Sequence, residues 1–355
     1  MTLPRDVGID TTSSALAPTP LPALPESALT RTLLIDRAER LEAQAATLDL
    51  SRWFWGEGVV LRGLETAARA RGAEVPAVVV SYYRDRRPGT ILVDHVNSLS
   101  PGATAARLGR RDLCEELLGW LDQPGSTTLA PNGAVEHWPG GVWADTVYMM
   151  GTFLLEAATL LDREDLVGRV ATQWVLHTDV LQRPGGLMVH GSHRGEVIEC
   201  FWGRANAWLA LSACDVLAHS FATPEGPRIA ERLGRQLAAA RACLPDDRVW
   251  DVLMDGHPET TGIIETSAAA GLCAAMLRAA ALGIDPAENQ QTATAVLRRL
   301  LPYVDDEGRL TQTSAGTVLQ LIPFGYSVIR HDRVQLWGQG LMLQALAAAL
   351  ECLDL

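Results

Sequence analysis

The sequence predicts an all-α fold in which six helical hairpins close into one barrel of two concentric rings, and three observations predict it. From Ala28 onward apolar residues recur with helical spacing in nearly every segment, punctuated by Gly and Pro clusters, while strand signals are few. The helices alternate between two kinds. One kind is charge-striped, as in Arg31 to Leu50 or Arg163 to Gln182; the other opens on aromatic, glycine or polar residues and then runs Ala- and Leu-rich, as in VWADTVYMMGTFLLEA or FWGRANAWLALSACDVL. A helix apolar on most sides is buried on most sides, and a striped one covers the outside. Third, Trp55, Asp94, Asp145, Arg204, Glu265 and Gly338 stand 39, 51, 59, 61 and 73 residues apart, enough for a helix down, a turn and a helix back. An α-solenoid of stacked hairpins would want a more regular period and a repeated motif.

In chain order, residues 1–27 are read as a flexible arm or surface strap, because 11–27 are rich in Pro, Ser, Thr and Ala without periodicity; residues 28–355 form the single barrel domain. Helices are expected near 30–49, 56–72, 76–87, 102–109, 111–123, 145–162, 164–182, 204–220, 226–244, 262–283, 287–301 and 334–353. Short loop-borne strands are expected at 90–96, 186–191 and 309–314. The loops near 125–141 and 303–333 carry no readable signal.

Composition narrows the partners. The chain has 355 residues, of which 48% are hydrophobic, and a net charge of −12, which argues against a nucleic-acid or anionic-membrane surface because both require clustered Lys and Arg. Six scattered cysteines, none in CxxC spacing, read as reduced core residues. No apolar run of 18 residues and no signal-like start are present, which sets cytoplasmic placement as the expectation. Phosphate loops, dinucleotide fingerprints and metal-ligand spacings are missing, so no cofactor and no metal are expected; GEG at 56–58 and GQG at 338–340 read as close helix packing.

The chemistry-bearing residues are few. Asp145 stands next to Trp143 at the head of an otherwise apolar helix, with Tyr148 and Met149 following; Arg204 stands among Trp202, Asn206 and Trp208 at the head of another. A charge spent there serves a cavity rather than solubility. Every second connection of a double ring opens at the same end, so Asp94, Asp145, His190, Arg204 and Glu265 are expected to converge at one mouth. A carboxyl beside indole is partly desolvated, which raises its pKa; the helix start opposes that, and Asp94 is expected to help hold the proton. The bland reading of Asp145 is a helix cap, and of Arg204 a cation stacked in a tryptophan core.

WADTVYM followed by WGRANAW resembles the unsaturated glucuronyl and rhamnogalacturonyl hydrolases, glycoside hydrolase families 88 and 105. WFWGEGVVLRGLE, VDHVNSLSPG, ETSAAAGLCAAM and WGQGLMLQALA extend the likeness over almost the whole helical region. The resemblance implies an (α/α)6 barrel and an enzyme that removes a 4,5-unsaturated uronic acid from lyase-generated oligosaccharides by hydrating its double bond. It places the catalytic acid on Asp145, a second acid on Asp94 and the histidine near the reacting carbons on His190. It places substrate contacts on Arg204, which would grip the uronate carboxylate, and on the flanking Trp208, and matches His137 to a histidine upstream of the catalytic helix; Trp202, Trp143 and Met149 are contact candidates from their own places beside Arg204 and Asp145. The partner implied is a small anionic oligosaccharide; the oligomeric state stays open. This chain has Ala205 and Ala207 where the family commonly has glycine, an expected narrowing of the pocket. Two alternatives remain: another barrel enzyme, such as an epimerase or a conventional glycosidase using Glu265 as second carboxylate, and a non-catalytic sugar-binding barrel.

Overall fold

The computed structural model describes residues 19–355. The chain alternates outer and inner helices in sequence order. The outer ring is α1 (Arg31–Ala45), α3 (Ala77–Arg84), α5 (Arg111–Leu121), α7 (Glu164–Leu181), α9 (Gly226–Ala242) and α11 (Pro286–Leu300). The inner ring is α2 (Trp55–Ala70), α4 (Pro101–Arg107), α6 (Ala144–Leu161), α8 (Gly203–Ala218), α10 (Thr266–Ala281) and α13 (Leu336–Cys352), with a short α12 (Pro323–Ser327) in the connection before α13. Each inner helix packs on its two inner neighbours, and α13 returns to pack on α2, so the inner ring closes. This is the (α/α)6 barrel, with one continuous apolar core running between the rings.

The division of labour follows the residues. In α13 almost every position from Trp337 to Leu350 is buried, whereas in α9 only Ile229, Leu233, Gln236, Leu237 and Ala240 are, one stripe of a helix otherwise given to charge. The first and last inner helices cross at glycines. A Cβ on Gly340 would lie 2.3 Å from the Val59 carbonyl oxygen, and one on Gly63 would lie 2.4 Å from the Gly340 carbonyl oxygen. GQG therefore serves backbone-to-backbone packing, as its sequence context suggests.

Several boundaries move for local reasons. The helix expected from 262 begins at Thr266, because the Glu265 carboxylate accepts the Ala268 N–H and caps it. The stretch 90–96 is not a strand: Thr90 closes a turn on Arg87, and His95 accepts the Asn97 N–H to start a 3-10 turn at Val96. Of the expected strand at 186–191, only Gly191 enters the two-stranded hairpin of β1 (Gly191–His193) and β2 (Glu196–Ile198), with Arg194 and Gly195 taking positive φ at its turn. Residues 309–314 contribute a single bridge, Leu310 to Val304. Of the expected arm, residues 1–18 lie outside the described residues. The part that follows is strapped down: Leu21 N–H donates to the Tyr303 hydroxyl (3.0 Å), Leu24 N–H to the Arg298 carbonyl (3.0 Å), and Arg298 Nε to the Leu24 carbonyl (2.7 Å).

Among the described residues no helix is long and apolar enough to cross a membrane, no group of three His, Cys, Asp or Glu side chains is placed to hold a metal ion, and all six cysteines are free thiols.

Away from the mouth, the inner helices carry a buried charge network. Arg62 Nη2 donates to Asp215 Oδ2 at 2.9 Å, Arg278 pairs with Asp215 Oδ1, and Gln344 Nε2 donates to the Tyr148 hydroxyl at 3.1 Å. Burial pushes the Asp215 carboxyl up, but Arg278 and Arg62 outweigh it and pull it down to about 2. A carboxyl depressed in the folded state stabilises above its unfolded pKa, and that stability is lost as pH falls through the folded value. The contribution is about 2 kcal/mol, fully present above about pH 4 and disappearing toward pH 2. Asp215→Asn is therefore expected to lower the melting temperature at pH 7, with the gap to wild type narrowing between pH 4 and 3. Parallel melting-temperature curves across that range would refute the assignment.

Candidate active site

Four of the five residues expected at the mouth meet there. Asp145 lies in the first turn of α6; His190 lies in the strand connection before α8, its backbone carbonyl accepting the Ala144 N–H. His190 Nε2 stands 3.2 Å from Asp145 Oδ2, with the imidazole fully buried and the carboxylate side chain 15% exposed. The His190 ring packs on Trp202 (centroids 4.3 Å apart), and the Arg204 guanidinium sits over the same indole at 4.2 Å. Arg204 pairs in turn with Glu265 at 3.3 Å.

The far side of His190 is held by Tyr326, from α12. The Tyr326 hydroxyl is 2.7 Å from His190 Nδ1 and accepts the Gln320 N–H at 3.4 Å. A hydroxyl that accepts from Gln320 is free to donate to Nδ1, which leaves the imidazole proton on Nε2, toward Asp145.

The electrostatics correct the sequence reading of Asp145. Burial raises its carboxyl, as expected, but the contact with His190, followed by the nearby His137 and Arg204, outweighs burial and holds it below the ordinary carboxylate range. Asp94 is not part of this balance. It is exposed, accepts a long 3.4 Å hydrogen bond from Ser98 Oγ, and lies in a groove beside the mouth. Its helix does not begin until Pro101, so its register differs from the other four.

Arg204 also differs from expectation. A free fork was expected; instead Nη1 donates to Ser314 Oγ (2.7 Å), Ser314 O (3.2 Å) and Ser267 Oγ (3.2 Å), while Nη2 donates to Ala315 O (2.9 Å) and Thr317 Oγ1 (3.2 Å). Only Nε is left over. Glu265 is equally committed, accepting from Ser267 Oγ, Ala268 N and Ser314 N as well as Arg204. Trp337 braces the same segment, its indole donating to Ser314 O at 3.0 Å while its ring stacks on Trp55 at 4.3 Å.

The remaining expected contacts divide. Trp143 belongs to the mouth: its indole stacks on the His137 ring at 4.6 Å and 15° and approaches His190 at 5.5 Å. His137 is buried and neutral. Burial and then the neighbouring His95 imidazole push its pKa well down, and its ring nitrogens meet Thr146 Oγ1 (3.0 Å) and Asn97 Nδ2 (3.4 Å). Trp208 is four residues along α8 from Arg204, one turn deeper, and packs on Tyr148 at 4.4 Å rather than beside the guanidinium. Met149 is wholly buried core. The Ala207 methyl does not reach the mouth; it lies against α10, where a Cβ on Gly271 would stand 2.7 Å from it.

Among the described residues, several buried polar atoms near the mouth have no hydrogen-bond partner: Arg204 Nε, the indole N–H groups of Trp143, Trp202 and, deeper, Trp208, and the facing Asp145 Oδ2 and His190 Nε2, which stand at ion-pair distance without hydrogen-bond geometry. Unpaired buried donors cost of order 1–3 kcal/mol each. Such a set of donors, walled by indole next to a carboxylate and an imidazole, suits a hydroxylated or anionic ring.

The comparisons with known proteins agree with this geometry. Unsaturated rhamnogalacturonyl hydrolase YesR from Bacillus subtilis (strain 168) is 31% identical over 332 residues, covering 88% of this chain and 94% of that protein. A solved structure described as a possible member of the GH105 family, from Salmonella enterica serovar Paratyphi A, superposes with a TM-score of 0.83 at 23% identity, covering 92% of this chain and 96% of that one. The unsaturated glucuronyl hydrolase of Bacillus sp. GL1, described as responsible for degradation of glycosaminoglycan, superposes with a TM-score of 0.67 at 17% identity, covering 89% and 96%. The profile of Glycosyl Hydrolase Family 88 matches residues 34–353, and with the closed double ring and its mouth described above the chain belongs to that family of hydrolases.

Proposed function

We propose that this enzyme removes a 4,5-unsaturated uronic acid from the non-reducing end of lyase-generated oligosaccharides by hydrating the C4=C5 double bond. The observation that carries the reading is the Asp145 to His190 contact of 3.2 Å beneath tryptophan walls that hold unpaired N–H donors. Asp145 delivers a proton to C4 and water adds at C5; the resulting hemiketal opens, and the glycosidic bond breaks as the leaving sugar departs with its oxygen. The carboxylate then regains a proton from the water that has added, so acid and base are one residue. Ionised in the free enzyme, Asp145 acquires its proton when the substrate carboxylate arrives and water is excluded, since a second negative charge and desolvation both raise a carboxyl. Arg204 Nε and the Trp202 N–H receive the uronate, a single-donor contact in place of a bidentate clamp. His190, its proton held on Nε2 by Tyr326, keeps Asp145 oriented.

A conventional glycosidase reading places Glu265 as the second carboxylate, and the saturation of both its oxygens weighs against that. Of the substrates named among the relatives, the rhamnogalacturonyl one goes with the greater identity, which favours a pectic oligosaccharide; a cytoplasmic site of action, on short imported chains, fits that reading. The test is incubation with lyase-generated oligosaccharides while following the enol-ether ultraviolet band. The band is expected to decay as sugar is released; release with the band intact sinks the proposal.

A further inference from the structure

Beside the mouth lies a groove of about 800 Å³, formed where the connection before α2 faces the long connection between α3 and α4. Its walls include Phe54, Leu92, Asp94, His95 and Trp138. Pockets of several hundred Å³ hold a drug-sized ligand, more than one sugar ring. Two of the residues are conspicuously uncovered: Leu92 is 70% exposed and Trp138 42%. Trp138 is nonetheless held in place. Its ring packs on His95 at 4.3 Å, and His95 is locked by Nε2 donating to the His137 carbonyl (2.6 Å) and Nδ1 accepting the Asn97 N–H (3.1 Å).

A chain of packed rings joins the groove wall to the reacting centre. His95 meets the His137 ring edge-on at 4.7 Å, His137 stacks on Trp143, and Trp143 reaches His190. One charged pair of each sign lines it, Arg52 and Arg86 against Asp85 and Asp94, so it presents no net field to select an anion. A fixed indole face, flanking aliphatic surface and balanced polar groups match the alternating apolar faces and hydroxyl edges of pyranose rings.

We propose that this groove is a track for the departing chain, holding two or more sugar rings on the reducing side of the bond that breaks, with Trp138 as its stacking platform. The enzyme's preferred substrates are then oligosaccharides of three or more rings rather than disaccharides. This rests on the proposed reaction, with binding energy from rings remote from the double bond drawn into the transition state.

Two measurements test it. With unsaturated substrates of increasing length, kcat/KM is expected to rise about tenfold from disaccharide to tetrasaccharide. Trp138→Ala and Leu92→Asp, both at exposed positions, are expected to bring that ratio close to one. A ratio near one in wild type, or one unchanged in both variants, overturns the proposal. Calorimetric titration of wild type and both variants with the saturated oligosaccharide, the chain without its unsaturated end, needs no turnover. Binding that weakens at least about fivefold in each variant supports the track, and equal binding or none in wild type overturns it. If no unsaturated substrate is consumed yet the saturated chain binds through Trp138, the reaction assignment fails and the groove stands.

Discussion

Asp145→Asn is expected to lower kcat on an unsaturated oligosaccharide by about a thousandfold while leaving substrate binding largely in place. The amide has the shape of the carboxylate and still faces His190 Nε2, so the mouth retains its architecture; what it lacks is a transferable proton at the distance and orientation the alkene requires. The pH profile carries a sign that follows from the same geometry. In the free enzyme burial lifts the Asp145 carboxyl, but His190, His137 and Arg204 together hold it below the ordinary range. The proton-bearing form is therefore scarce at neutral pH, and kcat/KM, which reports the free enzyme, rises as pH falls toward the acid range until unfolding intervenes. Initial rates of band decay across pH 4 to 8 measure both effects. A variant retaining more than about a tenth of wild-type kcat would remove Asp145 from the chemistry.

Glu265→Ala is expected to destabilise the fold by about 3–5 kcal/mol, among the largest costs of any single substitution in this chain. The carboxylate is fully buried and serves three masters at once: it caps α10, accepts the Ser314 N–H and neutralises Arg204. Its loss strands a buried guanidinium whose pKa is already pulled down by burial, and frees the segment from Ser314 to Thr317 that now lies over Arg204. Chemical denaturation measures the cost. Activity should fall with it, because Arg204, whose Nε is the donor proposed for the substrate, loses its buried counter-ion. A cost under about 1 kcal/mol would mean that Glu265 is dispensable and that the guanidinium has other counter-ions.

Much of this was legible in the amino-acid order. The alternation of striped and apolar helices reads directly as outer and inner rings, because a helix in the inner ring has neighbours on nearly every side and can spend few residues on charge. Asp145, Arg204 and Glu265 were legible because each interrupts an apolar helix start, and His190 because glycine-flanked loops present contacts. Trp55 and Trp337 also stand at helix starts, one and two residues further in than the N-capping Trp143 and Trp202, a signal present in the order but weak without the ring to align it.

Other features were not readable. Tyr326 sits in a connection with no period, and nothing local announces that its hydroxyl meets an imidazole 136 positions earlier in the chain. The saturation of Arg204 by Ser314, Ala315 and Thr317 depends on backbone carbonyls, which every residue carries and which composition therefore cannot flag. The direction of the Asp145 shift depends on His190 and His137, from two different connections, and on Arg204 in α8; sequence gives the desolvation and conceals these partners. Asp94 stands apart from the other four for a geometric reason. Its inner helix is short and starts seven residues later, so the aspartate falls on the rim rather than inside.

The glycine crossing of α13 with α2 has a consequence for how a cell makes this enzyme. Until α13 has left the ribosome, the flank of α2 that will receive Gly340 is bare apolar surface, and Trp337 is not yet present to hold Ser314 in place above Arg204. The nascent barrel is an open crescent of five inner staves with an unfinished sugar pocket and a sticky seam. Such long-range closure is slow and exposed to misassembly, so synthesis should depend on holdase protection up to the last helix, and the catalytic mouth should mature in one late step.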